Sequence, residues 1–407
     1  MGVDKPASAS PSPLRITFAM THPVQYYSPW FRYINDRCPE IQLTVIYGTV
    51  PTAEQQGVGF GVSFEWDTSP LDGYHSEQVR QAKPDDYLHS DRFFGLDVPG
   101  MGRAVRDSRP DAVVVPGWYS STLLRTLVAC RVHGIPAIYR GDTPLTSVRG
   151  PLRSFAWSAR TRTMLRLFQS FLTVGERNRE YLEHFGVPGS RIHFSPSCVD
   201  NEFFELCAAA ARTPAGRASV RAKLGIPQDD FAILFVGKLD DNKRPWDTLA
   251  AAAHLGPNTT AVIVGSGPAS DRCRDDAVRL GVRAVFSGFV NQSGLGEIYA
   301  ACDACVLPSV SDTWGLVVNE SLASGTPCVV SDGVGCGPDL IHRGETGNVF
   351  PVADIPALAS ALKGIREQKA SGHDFADDCR RVASRYSFSV ATDGLLAAAR
   401  SVAHRIQ

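Results

Sequence analysis

No apolar run in the 407 residues reaches the roughly 18 that a helix needs to cross a bilayer, so no spanning segment is expected. Neither sign of charge is in excess. There are 41 basic and 42 acidic residues, and a net charge of −1 lacks the basic surplus of a general nucleic-acid binder. The N-terminal MGVDKPASASPSP has no apolar stretch of the kind a signal peptide carries. The expectation is a disordered tail over 1–13 and a cytoplasmic protein. The ten cysteines show no pairing pattern. Only Cys302 and Cys305 form a C-x-x-C, with no second pair to complete a zinc or disulfide framework. They flank Ala304 at the entry to an apolar run ending at Leu307, where cysteine serves as a small hydrophobe.

What is present is globular. Hydrophobic residues make up 43% and charged residues 20%, and the length asks for two cores rather than one. Apolar runs that read as strands recur at 14–20, 41–47, 111–115, 136–139 and 171–174. They recur again at 231–236, 260–264, 283–286, 306–307, 328–330 and 348–350, with helical stretches between them. Strand–helix alternation of this kind predicts open parallel sheets, which bind ligands beyond the carboxyl ends of their strands.

The stretch Val306–Pro338 is the most informative. Asp312 and Glu320 stand with seven residues between them, and Gly315 opens a helix that places Glu320 about one and a half turns in. Two hydroxyl acceptors beside the free amides and positive dipole end of a helix suit a phosphorylated sugar. The plainer reading is a cap and an exposed helix residue. Phe231–Val236 runs directly into Gly237-Lys238, with Lys243 five residues on. Two cations at a strand's carboxyl end suit a diphosphate, neutralising it and its departure; the plainer reading is two surface lysines. In the first half, His22, Trp118, Arg140 and Asp142 all follow strands and should line the same cleft. Trp118 stacks on a sugar or packs; Arg140 and Asp142 bind an acceptor or pair with one another. Residues 48–95 carry weak periodicity and read as a functional loop or as a hairpin and helix. Over 149–168 there are five arginines and no acid, with Leu152, Phe155, Ala156 and Ala159 on one helical face. Such a helix sits on an anionic membrane surface or is an ordinary solvated one.

The acid pair resembles the signature of the retaining GT-B glycosyltransferases often called family four, whose motif is glutamate, seven residues, glutamate. Glu320 matches the second position, and Asp312 fills the first, one methylene shorter. Lys238 stands where relatives have arginine, and Lys243 keeps their lysine. The N-terminal His22-Pro23-Val24-Gln25-Tyr26-Tyr27 replaces the family's glycine-rich turn and is similar to a subgroup with that wording. The resemblance implies two Rossmann-like domains, 14–200 facing the acceptor and 201–385 holding the donor, with a final helix over 386–407 crossing back. It implies that Asp312 contacts the donor sugar, that Glu320 holds the ribose, and that Lys238 and Lys243 act on the diphosphate. Gly237, Thr313, Trp314, Gly315 and Leu316 would line the donor, and Gly288, Phe289 and Val290 would meet the base. His22, Trp118, Arg140 and Asp142 would face the acceptor. The implied reaction moves a sugar from a UDP- or GDP-sugar to a glycan, lipid-linked sugar or natural product with retention, using neither metal nor cofactor. A GT-B epimerase, a phosphorylase and a non-catalytic sugar-nucleotide sensor are the alternatives.

Overall fold

The computed structural model describes residues 12–58, 61–88, 92–145 and 151–403, without the side chains of 151–154. The expectations for the tail up to residue 11, for Arg149 and for the side chains of Leu152 and Arg153 lie outside the described residues.

The strands are β1 (Leu14–Met20), β2 (Ile41–Tyr47), β3 (Ser76–Gln78), β4 (Ala112–Val115), β5 (Ala137–Gly141), β6 (Ser170–Thr173) and β7 (Ile192–Phe194), then β8 (Phe231–Val236), β9 (Thr259–Val264), β10 (Arg283–Gly288), β11 (Ala304–Leu307), β12 (Cys328–Ser331) and β13 (Gly347–Phe350). They form two sheets, β3-β2-β1-β4-β5-β6-β7 and β10-β9-β8-β11-β12-β13. All pairings are parallel. The central strands are buried on both faces, which is why they read as unbroken apolar runs rather than alternating ones. Both sheets are doubly wound, as the alternation predicted. Strand order reverses between β1 and β4 in the first sheet and between β8 and β11 in the second. A crevice at each reversal is where such sheets hold ligands.

The last helix, Phe388–Ala403, does not pack on the domain that precedes it. Phe388, Ala391, Leu395 and Val402 share a core with Ile16, Phe18 and Trp30 of the first domain. Trp30 Nε1 donates to Thr392 Oγ1 at 2.9 Å.

Two segments left open by the sequence take definite form. In the helix Pro151–Leu165 the inward face holds Trp157, Thr161 and Leu165, while Phe155, Ala156 and Ala159 are exposed. Trp157 sits edge-on against Phe185 at 5.0 Å, and its ring takes the buried position, so the face that holds Phe155, Ala156 and Ala159 is turned outward. Among the described residues of 48–95 there is no hairpin. The segment holds a short helix, Ala53–Gly57, and β3 pairs parallel with β2. Its middle crosses to the second domain, where Asn291 Nδ2 donates to the Glu65 carbonyl at 2.9 Å and Ser293 N to Asp67 Oδ2 at 2.9 Å.

Candidate active site

The donor-side candidates lie along the carboxyl ends of β10, β9, β8 and β11. Gly265 N donates to the Gly288 carbonyl at 2.7 Å, and Gly237 N to the Val264 carbonyl at 3.0 Å, so the three strand ends form one continuous ledge. A Cβ on Gly265 would stand 1.8 Å from the Gly237 carbonyl oxygen, so the G-x-G at 265–267 is what lets that ledge close. Phe289 and Val290 lie at its outer end, where the Phe289 ring meets Phe64 of the first domain at 4.3 Å.

At the inner end, two loops are joined by one side chain. Asn242 Nδ2 donates to the Ser311 carbonyl at 2.8 Å, its Oδ1 accepts from Ser311 N at 3.2 Å, and its own carbonyl accepts from Val310 N at 2.7 Å. This brings Lys243 Nζ to 2.5 Å from Asp312 Oδ2. Lys238 lies in the same field: burial lowers its pKa, the Asp240 carboxylate opposes that, and the charge of Lys243 reinforces it. Asp312 is fixed from behind, donating its N–H to Gly333 at 3.0 Å and accepting from Gly335 N at 2.8 Å. Gly315, at φ +98°, starts the helix Leu316–Ala323, and a Cβ there would stand 2.9 Å from Val334 Cγ1.

Glu320 lies in that helix and is 2% exposed. Burial pushes its carboxyl up to about 7, against the pull of the Tyr299 hydroxyl that donates to Oε2 at 2.8 Å. Tyr26 crosses from the first domain, packs on the second-domain core, and has its hydroxyl pKa raised by burial, with Glu320 and Asp312 adding to the shift. Both carboxylates thus act electrostatically on one residue of the opposite domain.

The acceptor-side candidates line a cavity of about 900 Å³ between the domains, together with Thr313, Trp314 and Leu316. Lys238, Lys243, Asp312 and Glu320 do not line it. His22 Nδ1 shares a 3.0 Å hydrogen bond with Thr21 Oγ1, which also bonds Tyr119 Oη at 3.0 Å. Trp118 packs toward Tyr139 at 5.8 Å while still lining the wall. Arg140 and Asp142 do not pair. Arg140 is 3% exposed and donates to the carbonyls of Ser195 and Pro196 at 2.8 and 3.1 Å, with Trp30 beneath the guanidinium at 4.6 Å. Those carbonyls belong to the segment that leaves the first domain, so Arg140 anchors the crossover. Asp142 accepts from the Thr313 hydroxyl at 2.6 Å and so bridges the domains. Trp314 donates through Nε1 to Asn319 Oδ1 at 2.8 Å, and its ring lies so close to Gly175 that a Cβ there would be 2.3 Å away.

Asn242 and Tyr299 carry no sequence signal of their own. Neither belongs to a motif, and only the meeting of two loops or two helices gives them a role. Tyr26 lies in the His22-Pro23-Val24-Gln25-Tyr26-Tyr27 stretch, and only the meeting of the two domains sets it near the acids. Among the described residues no three His, Cys, Asp or Glu side chains are grouped to hold a metal ion, and all ten cysteines are free thiols. Also among the described residues, no helix is long and apolar enough to cross a membrane.

Two family models match: "Glycosyltransferase Family 4" over residues 41–203 and "Glycosyl transferases group 1" over 216–382. A D-inositol 3-phosphate glycosyltransferase of Rhodococcus jostii is 29% identical over 233 residues, 54% of this chain and 50% of that protein. One from Mycobacteroides abscessus is 34% identical over 191 residues, 45% of this chain and 42% of that protein. The matched region thus spans about half the length of these relatives. In fold, the chain is similar to Anabaena HepE, solved with UDP and glucose, at a TM-score of 0.67 and 16% identity over 93% of this chain and 98% of that one.

Proposed function

We propose, from a GT-B fold whose halves match two glycosyltransferase models, that the protein transfers a sugar from a nucleoside-diphosphate sugar to a sugar or small-molecule acceptor. The observation that carries the reading is the joining of Lys243 to Asp312 through Asn242, beside buried Glu320, where the second sheet's strand order reverses.

The ledge from Gly288 to Gly237 and the start of the helix at Leu316 receive the donor, a UDP- or GDP-sugar. Glu320 accepts the ribose hydroxyls. Lys243 leaves Asp312 for the diphosphate, which frees that carboxylate for the sugar's hydroxyls, and Lys238 adds its charge. The amides around Gly315 complete the cradle for the departing diphosphate. The acceptor occupies the cavity that His22, Trp118 and Asp142 line, with Thr313, Trp314 and Leu316 forming the wall shared with the donor. The reading is retention through front-face displacement. The acceptor oxygen bonds to the anomeric carbon on the face the diphosphate leaves, and a diphosphate oxygen takes the acceptor's proton. No side-chain nucleophile, metal or cofactor is used. Closure of the domains keeps water from competing with the acceptor.

The test is thermal denaturation with UDP, GDP and their sugars, on the native protein and on Glu320→Ala and Lys243→Ala. One nucleotide should stabilise the native protein, and both variants should lose that gain. An unchanged gain in the variants would reject the assignment.

A further inference from the structure

Phe93 and Arg160, which line the acceptor cavity, belong to a sequence segment of unusual composition. Between residues 92 and 166 there are twelve arginines and four aspartates, with no lysine or glutamate, in a chain whose net charge is −1. Apolar side chains stand exposed among them. Phe155 is 77% exposed on the outward face of its helix, and Val132 is 71% exposed on the helix Ser121–His133.

The cavity and the groove that holds Val132 are continuous. The Arg160 guanidinium lies 4.9 Å over the Phe93 ring, and both residues line the acceptor cavity. Phe93 meets Phe94 at 4.5 Å, and Phe94 opens a groove with Val128 and Val132, walled by Arg103 and Arg125. Part of the charge is balanced within the fold. Arg106 pairs with Asp107, Arg125 with Asp97, and Arg140 is buried. Arg131, Arg160, Arg162 and Arg166 are exposed, and Arg162 and Arg166, seven and eleven residues after Phe155, share its side of the helix.

An ordinary solvated helix keeps large apolar groups inward; here Trp157 fills the inward position and Phe155 points out. Exposed aromatic and aliphatic groups set among arginines are what a helix lying in a headgroup layer presents.

We propose that this face docks on an anionic bilayer and that the acceptor is an amphiphile held in that bilayer, presented to the cavity past Phe93 and Arg160. Charge complementarity selects the surface: arginines near an anionic leaflet each add about 1 kcal/mol, or about fivefold in partitioning. The second half of the proposal rests on the glycosyltransferase reading, and the first half stands without it.

The experiment is flotation of the full chain with vesicles of phosphatidylcholine alone and of phosphatidylcholine with phosphatidylglycerol. The expected result is binding to the anionic vesicles only, weakened by salt. Arg162→Gln should lower partitioning about fivefold, and Phe155→Ser should lower it further by removing the inserted ring. Neither residue lines the cavity or the donor ledge, so both variants should keep the native melting temperature and its nucleotide response. Binding that ignores lipid charge, no binding at all, or variants that float like the native protein would overturn the proposal. Anionic-vesicle binding with no response to any nucleotide would uphold the docking face and sink the transferase reading.

Discussion

Glu320→Gln offers a test whose size follows from the structure. The Glu320 carboxyl is buried and pushed up to about 7, against an ordinary value of 4.5. The folded protein thus holds this proton more tightly than the unfolded chain does. Below the unfolded value both states are protonated and the side chain costs nothing. As pH rises through 4.5 toward 7 the unfolded chain ionises first, and the native fold loses stability by comparison. At about 1.4 kcal/mol per unit, the loss approaches ~3 kcal/mol at and above pH 7, an upper bound for a group that can still draw in water. Glutamine keeps the shape, still accepts from Tyr299, and never ionises. It should therefore match the native protein near pH 4 and surpass it as pH rises. For a domain of this size ~1 kcal/mol moves the melting temperature by about 2–4 °C. The gap between variant and native melting curves should then widen by about 5–10 °C between mildly acidic and mildly alkaline buffer. The measurement is a pair of thermal denaturation series across pH. Curves that stay parallel would refute the reasoning, because a carboxylate titrating normally gives no such divergence. The same variant should bind nucleotide poorly, so that stability is gained where function is lost.

Asp303 carries the opposite sign. Lys369, Arg217 and Arg221 hold its carboxyl down to about 2, so its contribution is complete above pH 4 and is lost as pH falls toward 2. Asp303→Asn should cost about 2 kcal/mol or more at neutral pH and little in strong acid, read by urea unfolding at each pH. Gly175→Val should separate the domains, since even a Cβ would collide with Trp314, and small-angle scattering should record a larger radius of gyration with each domain's secondary structure unchanged. Arg140→Lys should lose the fork that serves Ser195 and Pro196 together and destabilise the protein by about 2–3 kcal/mol, measured by denaturation. A change confined to acceptor KM would instead make Arg140 a binding residue.

The sequence by itself determined the architecture and the addresses of the candidate site. Apolar runs and helical periods are local signals. Once strands alternate with helices, topology sends Lys238, Asp312, His22 and Asp142 to strand ends without any knowledge of packing. Only the tertiary structure decided which partners those side chains meet. Lys243 and Asp312 are 69 positions apart, and Asn242, which no motif marks, draws their loops together. Arg140 turns to the carbonyls of the crossover rather than to Asp142, and the helix at 151–165 turns Phe155 outward because Trp157 takes the inner position. Each of these outcomes depends on what two distant segments offer one another in hydrogen bonds and buried area, and a linear pattern carries neither.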